Sequence, residues 1–313
     1  MSDVVQNKIV EPNSVSALNP GIPESILSPG IYYDLSSKQY DEIPAIRSTY
    51  LRRLMKCPAA ALIEEEDSKA LQFGRAFHTY ALCGLDAFQK EYALAGHCRA
   101  ILKSGERKNQ ECGNPGFWFD NSQWFCNRHE PGSYQLTGEI ISTDDFADIE
   151  TMSNSIHAHP SAQALMATGK PEVTVVWLDD ETELLCKARI DWLPQEHDGI
   201  VIDLKTAATA DEHAFNATVK TRGYALTAGM YIEGLTKVQK IKDSTYLYGF
   251  IVVEKEPPFR CEVYEATGWL EYGNALFHEA LRLEKKCREA NYYPAHKNPG
   301  VGMLVPPGYL NVD

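Results

Sequence analysis

The chain has 313 residues, with 44% hydrophobic residues, 23% charged residues and a formal net charge of −13 at pH 7. These values are ordinary for a soluble globular protein, and the length suits one large domain or two small ones. No apolar run approaches the roughly 18 residues that a membrane span requires, which excludes a membrane-spanning protein. The acidic net charge argues against a protein that coats nucleic acid nonspecifically.

The N-terminal residues 1–28 are polar and rich in proline, serine and asparagine, which is typical of a flexible tail. They lack the basic and apolar regions of a secretory signal. We therefore expect a cytoplasmic protein with a single domain over residues 29–313. In a reducing compartment, the eight cysteines are expected to be free thiols or metal ligands, and not a disulfide framework.

Helical patterns follow this tail at three places. Ser48 is predicted to cap the first helix, and residues 69–83 have the periodicity of a second. A third helix is predicted over residues 143–168, with its cap near Ser142 or Thr143.

Residues 97–135, between the second and third predicted helices, are rich in glycine, asparagine, cysteine and aromatic residues and show little periodicity. We interpret them as an inserted loop module. It contains a candidate Cys3His zinc site, in which the last two ligands have a short C-x2-H spacing: Cys98, Cys112, Cys126 and His129. His97 is an alternative ligand, and unconnected free thiols are the alternative interpretation. A structural role is favoured, because the loop is too polar to pack alone.

Strand patterns dominate the second half of the chain. Three consecutive strands are predicted, then a helix, two further strands and a final amphipathic helix, over residues 172–178, 183–193, 200–206, 210–235, 244–255, 260–265 and 267–290. This order predicts an α/β fold with a mixed central sheet that is flanked by helices.

The pattern Asp/Glu-x-Lys occurs four times, and the pair Asp203/Lys205 differs from the others because it lies among apolar β-branched residues. Residues two apart in a strand point to the same side. Two charges on one side of a buried strand are costly unless they are paired or bind a metal. The pair therefore indicates either a structural ion pair or a functional site.

Asp191 strengthens the functional interpretation. A hairpin centred at His197 would place Asp191 opposite Asp203, with the side chains roughly 5 Å apart. Two carboxylates at that distance repel unless a divalent cation lies between them, and Mg²⁺ is commonly held by one or two carboxylates. Such an ion activates water and stabilises charge on a phosphate, and Lys205 is placed to orient or deprotonate that water. These residues suit phosphodiester hydrolysis.

Two further residues stay ambiguous from pattern alone. Glu172 opens the preceding predicted strand and is either a third acid of the site or an exposed strand-end residue. His78, on the second predicted helix, cannot be distinguished by periodicity from an ordinary helical histidine.

Several segments, in order, resemble the RecB-like branch of the PD-(D/E)XK nuclease superfamily: GRAFH (74–78), PEVTVVW (171–177), ARID (188–191) and VIDLKT (201–206). The likeness is closest to the C-terminal nuclease domain of the exonuclease VIII (RecE) family. It extends to two earlier segments, GIYYDLSSKQY (30–40) and STYLRRLMKCP (48–58). The resemblance implies a restriction-endonuclease-like core that carries an active site for Mg²⁺ or Mn²⁺.

The resemblance also assigns roles to individual residues. The metal ligands that it implies are His78, Asp191, Asp203 and the backbone carbonyl of Leu204. The catalytic lysine and a further active-site acid are Lys205 and Glu172. The expected DNA contacts are Arg75, Arg189, Thr206 and Tyr231. One departure concerns the family pattern Gln-x-x-x-Tyr, because Thr227 stands where glutamine is expected, although Tyr231 is present.

The activity that the resemblance implies is a metal-dependent exonuclease that degrades double-stranded DNA from its ends, in the 5′ to 3′ direction. It further implies a RecT-like single-strand annealing protein as partner, a ring-like homo-oligomer, and a bacterial or phage-infected cell. The alternatives are a non-catalytic DNA-binding subunit for recombination and an endonuclease of the same fold. An iron–sulfur cluster is disfavoured, because the late cysteines Cys261 and Cys287 lack C-x2-C spacing.

Overall fold

The computed structural model describes residues 28–63, 67–114, 116–120, 123–130, 139–195, 199–240 and 246–296. The predicted tail therefore lies outside the described residues, except for its last residue. Within these ranges, none of the helices is both long enough and apolar enough to cross a membrane.

The centre of the fold is a six-stranded mixed sheet. In spatial order, its strands are β1 (Gly30–Tyr32), β6 (Gly169–Leu178), β7 (Leu185–Pro194), β8 (Ile200–Ala207), β9 (Leu247–Glu254) and β10 (Cys261–Glu265). The β8–β9 pair is parallel and the other pairs are antiparallel. The prediction of a mixed sheet is therefore confirmed.

Helices cover both faces of this sheet. They are α1 (Ser37–Glu42), α2 (Ser48–Lys56), α3 (Pro58–Ala61), α4 (Lys69–Cys83), α5 (Leu85–Glu91), α6 (Thr143–Ala158), α7 (Pro160–Leu165), α8 (Glu212–Thr221), α9 (Tyr224–Gln239) and α10 (Leu270–Ala290). Alternate residues of β8 and β9 enter two separate cores. Val201 and Phe250 pack with α2, α9 and α10, whereas Ile202 and Ile251 pack with α4 and α6. Burial on both faces explains why these strands read as continuous apolar runs.

The helix predicted over 210–235 is two helices, because Gly223 adopts a left-handed conformation with φ of +70° between α8 and α9. The helix predicted over 143–168 also divides, at Pro160, since proline disfavours helical geometry in the residue before it. Ser142 caps α6 as expected, accepting a hydrogen bond from the backbone N–H of Asp145.

The predicted cap of α2 is wrong. Ser48 is the first helical residue, and the N-cap is Arg47, whose side chain makes no capping hydrogen bond. The backbone of Arg47 is extended, with φ of −116° and ψ of 159°, so the helix begins at the next residue, Ser48.

Helices α9 and α10 approach so closely that glycine is required at their crossing. A Cβ atom added to Gly273 would overlap the carbonyl oxygen of Ala225, and one added to Gly229 would overlap the backbone of Asn274. Backbone atoms cannot give way as a flexible side chain does, so the two helix axes would have to separate.

Replacing Gly273 with alanine is therefore expected to lower the free energy of unfolding by about 2–4 kcal/mol, as overpacking of a core does. Urea denaturation monitored by circular dichroism measures this change. Gly268→Ala is the matched control, because a Cβ at that position meets no atom within 4 Å. Equal midpoints for the two variants would contradict the close approach of these helices.

The predicted inserted module is attached through a second, two-stranded sheet. Strand β2 (Tyr92–Ala95) enters the module, and strand β5 (Glu139–Ser142) leaves it in parallel to β2. Between them lies a short hairpin of β3 (Trp118–Asp120) and β4 (Gln123–Phe125), followed by a 3-10 turn at Asn127–His129. The last part of the predicted module, residues 131–135, lies outside the described residues.

Candidate active site

Three acidic residues lie side by side on the adjacent strands β6, β7 and β8. Pairing of Trp192 with Ile202 places Asp191 opposite Asp203, as the predicted hairpin required. On the other side, the register of β6 and β7 places Glu172 opposite Asp191, between two regular pairs. The strands thus bring three carboxylates to one place without any help from the helices.

Glu172 does not begin its strand, as its sequence position suggested, but lies inside β6. Its backbone is left-handed, with φ of +53°. This conformation is uncommon for a residue other than glycine, and strained backbone of this kind is concentrated at functional sites. The regular pairing of β6 with β7 is interrupted at Glu172, next to the position of Asp191.

Asp203 is almost fully buried and both of its oxygens have partners. Oδ2 accepts a hydrogen bond of 2.9 Å from the Tyr248 hydroxyl, and Oδ1 pairs with Nζ of Lys205. Burial raises the pKa of Asp203, but the Lys205 ammonium and hydrogen bonds from Asp191, Lys205 and Tyr248 together bring the pKa below its ordinary value. Asp203 therefore carries the negative charge of the pair of aspartates.

Of the two aspartates, Asp191 has the stronger tendency to bind a proton. Burial and the charge of Asp203 raise its pKa well above the ordinary value, although the Lys205 ammonium lies 3.9 Å away and opposes this effect. The Asp191 Oδ2 atom accepts a hydrogen bond of 2.8 Å from the backbone N–H of Leu204. Two carboxylates that interact this strongly titrate as a unit, and a divalent cation would displace the proton.

Helix α4 contributes His78 to the same place. Its Nδ1 atom lies 3.6 Å from Oδ2 of Asp191, and the ring hydrogen-bonds to the backbone of Leu204. Burial and then the charge of Lys205 lower the pKa of His78 to about 4. The imidazole is therefore neutral near pH 7, which is the form that binds a metal. Ligand atoms of His78, Glu172 and Asp191 all lie within 4.8 Å of one another.

Lys205 is a cation among Glu172, Asp191 and Asp203, the three carboxylates that we call the acidic group. Burial lowers its pKa, but Asp203 and Asp191 raise it, and the net pKa is above the ordinary value. Its Nζ atom also lies 5.3 Å from the centre of the Tyr224 ring. The ammonium group thus stays charged and is directed between the two aspartates and an aromatic wall.

The two arginines expected to contact DNA are engaged in ion pairs. Arg189 pairs with Glu172, and Arg75 forms a two-point contact with Asp67 at 2.7 and 2.9 Å and a further contact with Glu139. Burial raises the pKa of Glu172 despite the neighbouring Arg189. Both arginines line the cleft, where they would have to leave these acids in order to bind phosphates.

The acidic group opens into a cleft of about 1680 Å³. This volume exceeds the roughly 300–1,000 Å³ that is typical of small-molecule pockets. The cleft is lined by seven of the predicted site residues: Arg75, His78, Glu172, Arg189, Asp191, Thr206 and Tyr231. It also contains four cations that the sequence patterns missed, namely Lys38, Arg47, Arg222 and Lys255. Its size and lining suit a polymer with charged groups.

Thr227, the departure from the family pattern, is buried in α9, whereas Tyr231 lies one turn later and reaches the cleft. The substitution therefore changes the interior side of the helix at Thr227 and leaves the tyrosine in position.

Tyr248 is a site residue that no local pattern identified. It is completely buried in β9, and it reaches Asp203 only because β8 and β9 are parallel neighbours. Replacing Tyr248 with phenylalanine removes one hydrogen bond from the carboxylate. We expect about tenfold weaker binding of a divalent ion, as is usual when a residue that orients a ligand is lost.

Isothermal titration with Mn²⁺ measures this effect. Tyr264→Phe is the matched control, because the Tyr264 hydroxyl donates to the carbonyl of Ala210, away from the acidic group. Equal affinities of Tyr248→Phe and the wild type would show that Asp203 is oriented without this hydroxyl.

In the inserted module, the structure brings together the four predicted ligands. One potential ligand atom from each of Cys98, Cys112, Cys126 and His129 lies within 4.8 Å of all the others, and the three cysteines are buried. His97, the alternative ligand, contacts the carbonyl of Gly113 and a carboxylate oxygen of Asp144 instead. The other cysteines are free thiols outside this cluster.

Comparison with known proteins supports a PDDEXK-like fold for this chain. A family model described as "PDDEXK-like domain of unknown function (DUF3799)" matches residues 48–298. A crystal structure of a protein from Eubacterium rectale, described as a candidate exonuclease, is similar with a TM-score of 0.55 and 13% identity, over 88% of this chain and 97% of that chain. A search of curated proteins gave no significant match. The matched region contains all of the acidic group and the module, and the chain belongs to the PDDEXK-like family DUF3799.

Proposed function

We propose that this protein is a metal-dependent nuclease that hydrolyses phosphodiester bonds of double-stranded DNA. The observation that carries the proposal is the meeting of Glu172, Asp191 and Asp203 on three adjacent strands, with Lys205 among them and His78 above. A purely structural role does not account for three carboxylates at one place, because buried like charges are costly.

The proposed cofactor is Mg²⁺ or Mn²⁺ in the cleft. His78, Asp191, Asp203 and the carbonyl of Leu204 would hold it, and Glu172 is a further acid within reach. When bound, such an ion acidifies water and stabilises charge on the phosphate. The donor set fits, since it combines carboxylates with a neutral imidazole that is ready to bind. The proposal also includes a structural Zn²⁺ ion in the inserted module.

The chain's own residues have separate tasks in this reaction. Lys205 stays cationic and orients the attacking water, because its Nζ lies beside both aspartates. Tyr248 holds Oδ2 of Asp203, which leaves Oδ1 directed towards Lys205. Arg189 balances the charge of Glu172 until a phosphate or a cation replaces one partner of this pair.

The cleft favours a nucleic acid over a smaller substrate. Lys38, Arg222 and Lys255 line it and form no ion pair with any acid in the described parts of the chain. In a protein with a net charge of −13, free cations at one cleft indicate a local binding site for phosphates.

The finer parts of the proposal are digestion from DNA ends in the 5′ to 3′ direction, cooperation with a RecT-like annealing protein, and assembly into a ring-like oligomer. The resemblance to the exonuclease VIII family supports all three, whereas the similarity to a protein described as a candidate exonuclease supports only digestion from DNA ends. The competing functions are an endonuclease and a non-catalytic DNA-binding subunit.

Digestion of one plasmid in linear and closed-circular form, with Mg²⁺, tests the proposal. We expect only the linear form to disappear, and a label on the 5′ end to be released before a label on the 3′ end. Cleavage of both forms at similar rates would identify an endonuclease. If neither form is cut with Mg²⁺ or Mn²⁺, the catalytic proposal fails and DNA binding without cleavage becomes the better explanation.

A further inference from the structure

The four ligand atoms in the inserted module have the spacing of a tetrahedral zinc centre. The Sγ atoms of Cys112 and Cys126 lie 3.9 Å apart, and Nδ1 of His129 lies 3.4 Å from the Sγ atoms of both Cys98 and Cys126. Zinc bonds of standard length in a tetrahedron separate two sulfurs by roughly 3.8 Å and a sulfur from a nitrogen by roughly 3.6 Å. A disulfide would need sulfurs about 2.05 Å apart.

The centre would be closed. Four protein ligands complete a tetrahedron and leave no position for water, which is typical of structural zinc. Among the residues of the module that the structure describes, the surrounding apolar cluster consists of the three cysteines, Ala100, Leu102 and Phe125. Such a small core cannot hold a loop of this length in place without a cross-link, so the metal would supply much of the stability of the module.

The module is the connection between two strands that form a wall of the cleft. Parallel strands β2 and β5 pair over four residues each, and their first residues, Tyr92 and Glu139, both line the cleft. Glu139 in turn holds Arg75 with a distance of 3.0 Å. A two-stranded sheet is marginally stable alone. The stability of this wall therefore depends on the module that connects its two strands.

The metal ligands begin directly after β2. Cys98 follows Ala95 closely, and its neighbour His97 contacts Asp144 in the first turn of α6 at 2.8 Å. A cross-link from Cys98 to His129 would shorten the free connection between β2 and β5 and would lower the entropy lost when these strands pair. Zinc binding to the module would therefore stabilise the positions of Glu139 and Arg75.

We propose that Cys98, Cys112, Cys126 and His129 bind one structural zinc ion, and that this ion holds the β2–β5 wall in the form that binds DNA. This inference rests on the proposed nuclease function for the nature of the ligand, but not for the presence of zinc. Loss of zinc weakens DNA binding and leaves the chemistry of Asp191, Asp203 and Lys205, none of which belongs to the module, largely unchanged.

The experiment compares wild type, Cys112→Ser and the matched control Cys261→Ser, all as full-length protein. Elemental analysis should find about one zinc per chain in wild type and control, and less than about a tenth of that in Cys112→Ser. Limited proteolysis should cut Cys112→Ser within residues 96–138 and spare the other two proteins. Zinc-free wild-type protein, or equal resistance of Cys112→Ser to protease, would overturn the inference.

DNA affinity is then measured by fluorescence anisotropy in the Lys205→Ala background, so that the DNA stays intact. Cys112→Ser should bind about tenfold more weakly than the control, whereas the cleavage rate at saturating DNA, measured with Lys205 present, should change by less than about threefold. Unchanged affinity after loss of zinc would overturn the coupling to the wall. If zinc is present but wild type neither binds nor cuts DNA, the proposed nuclease function fails and the zinc centre stands by itself.

Discussion

Replacing Lys205 with alanine is expected to reduce the rate of DNA hydrolysis by about a thousandfold, the usual cost of losing a charged group that orients the nucleophile or stabilises the transition state. Lys205 is the only cation within 4.0 Å of both Asp191 and Asp203 among the described residues. Arg189 is not free to take over, since it is paired with Glu172.

The measurement is the initial rate on linear duplex DNA with saturating Mg²⁺. Circular dichroism at the assay temperature must accompany it, because removal of Lys205 leaves the buried Asp203 carboxylate without its ion-pair partner and lowers stability by about 3 kcal/mol. Lys237→Ala is the control, since Lys237 forms an ion pair with Asp180, away from the cleft. A folded Lys205→Ala protein with more than a tenth of wild-type activity would contradict the assigned role.

Replacing Asp191 with asparagine is expected to have opposite effects on activity and on stability. Binding of a divalent ion should weaken by about 100-fold and hydrolysis should be lost, because a charged ligand is removed. In the absence of metal, however, the variant should be more stable by about 1 kcal/mol near pH 7, because folding raises the pKa of Asp191 in the wild type at a cost in stability, and asparagine carries no such cost. The asparagine oxygen can still accept the hydrogen bond from Leu204.

The pH dependence of stability provides a second measurement on the same variant. An unfolded aspartate loses its proton near pH 4, whereas the folded metal-free protein keeps the proton of Asp191 to higher pH. Between these two pKa values the folded state binds more protons, so this group makes the protein less stable as the pH rises. Thermal unfolding from pH 4 upward, with chelator, should show this loss in the wild type and in Asp180→Asn, but a smaller loss in Asp191→Asn. Parallel curves would contradict the shared proton.

Much of the acidic group could be predicted from the sequence because its parts are local. Asp203 and Lys205 share one side of a strand through the two-residue period of β structure. Asp191 is brought opposite Asp203 by a short hairpin, and the observed pairing of Trp192 with Ile202 confirms that register. Both placements involve residues that are close in the chain, so the geometry of the strands and their hairpin is sufficient to predict them.

Other features depended on contacts that no local pattern describes. His78 is separated from Asp191 by the whole inserted module, and only the packing of α4 against the sheet brings them to 3.6 Å. Tyr248 reaches Asp203 through the parallel pairing of β9 with β8, after two intervening helices. The ion pairs of Arg75 and Arg189 likewise join residues from different elements.

The inserted module has one feature that local sequence predicts and one that the fold of the loop decides. The spacing of Cys126 and His129 was sufficient to suggest a metal site, because three residues of chain fix how far apart two side chains lie. That Cys98 and Cys112 join them was decided by the fold of the loop, which buries all three cysteines.

The sequence by itself determined five of the six strands of the central sheet, the α/β class and the pair of aspartates with their lysine, since these follow from side-chain periodicity and short connections; it did not predict β1 or the short strands β2 to β5. Only the tertiary structure decided which helix supplies the histidine, which tyrosine orients Asp203 and which acids hold the arginines of the cleft. The physical reason is that these contacts arise from the packing of whole helices and strands, whose relative positions depend on the burial of the two cores and not on any one segment.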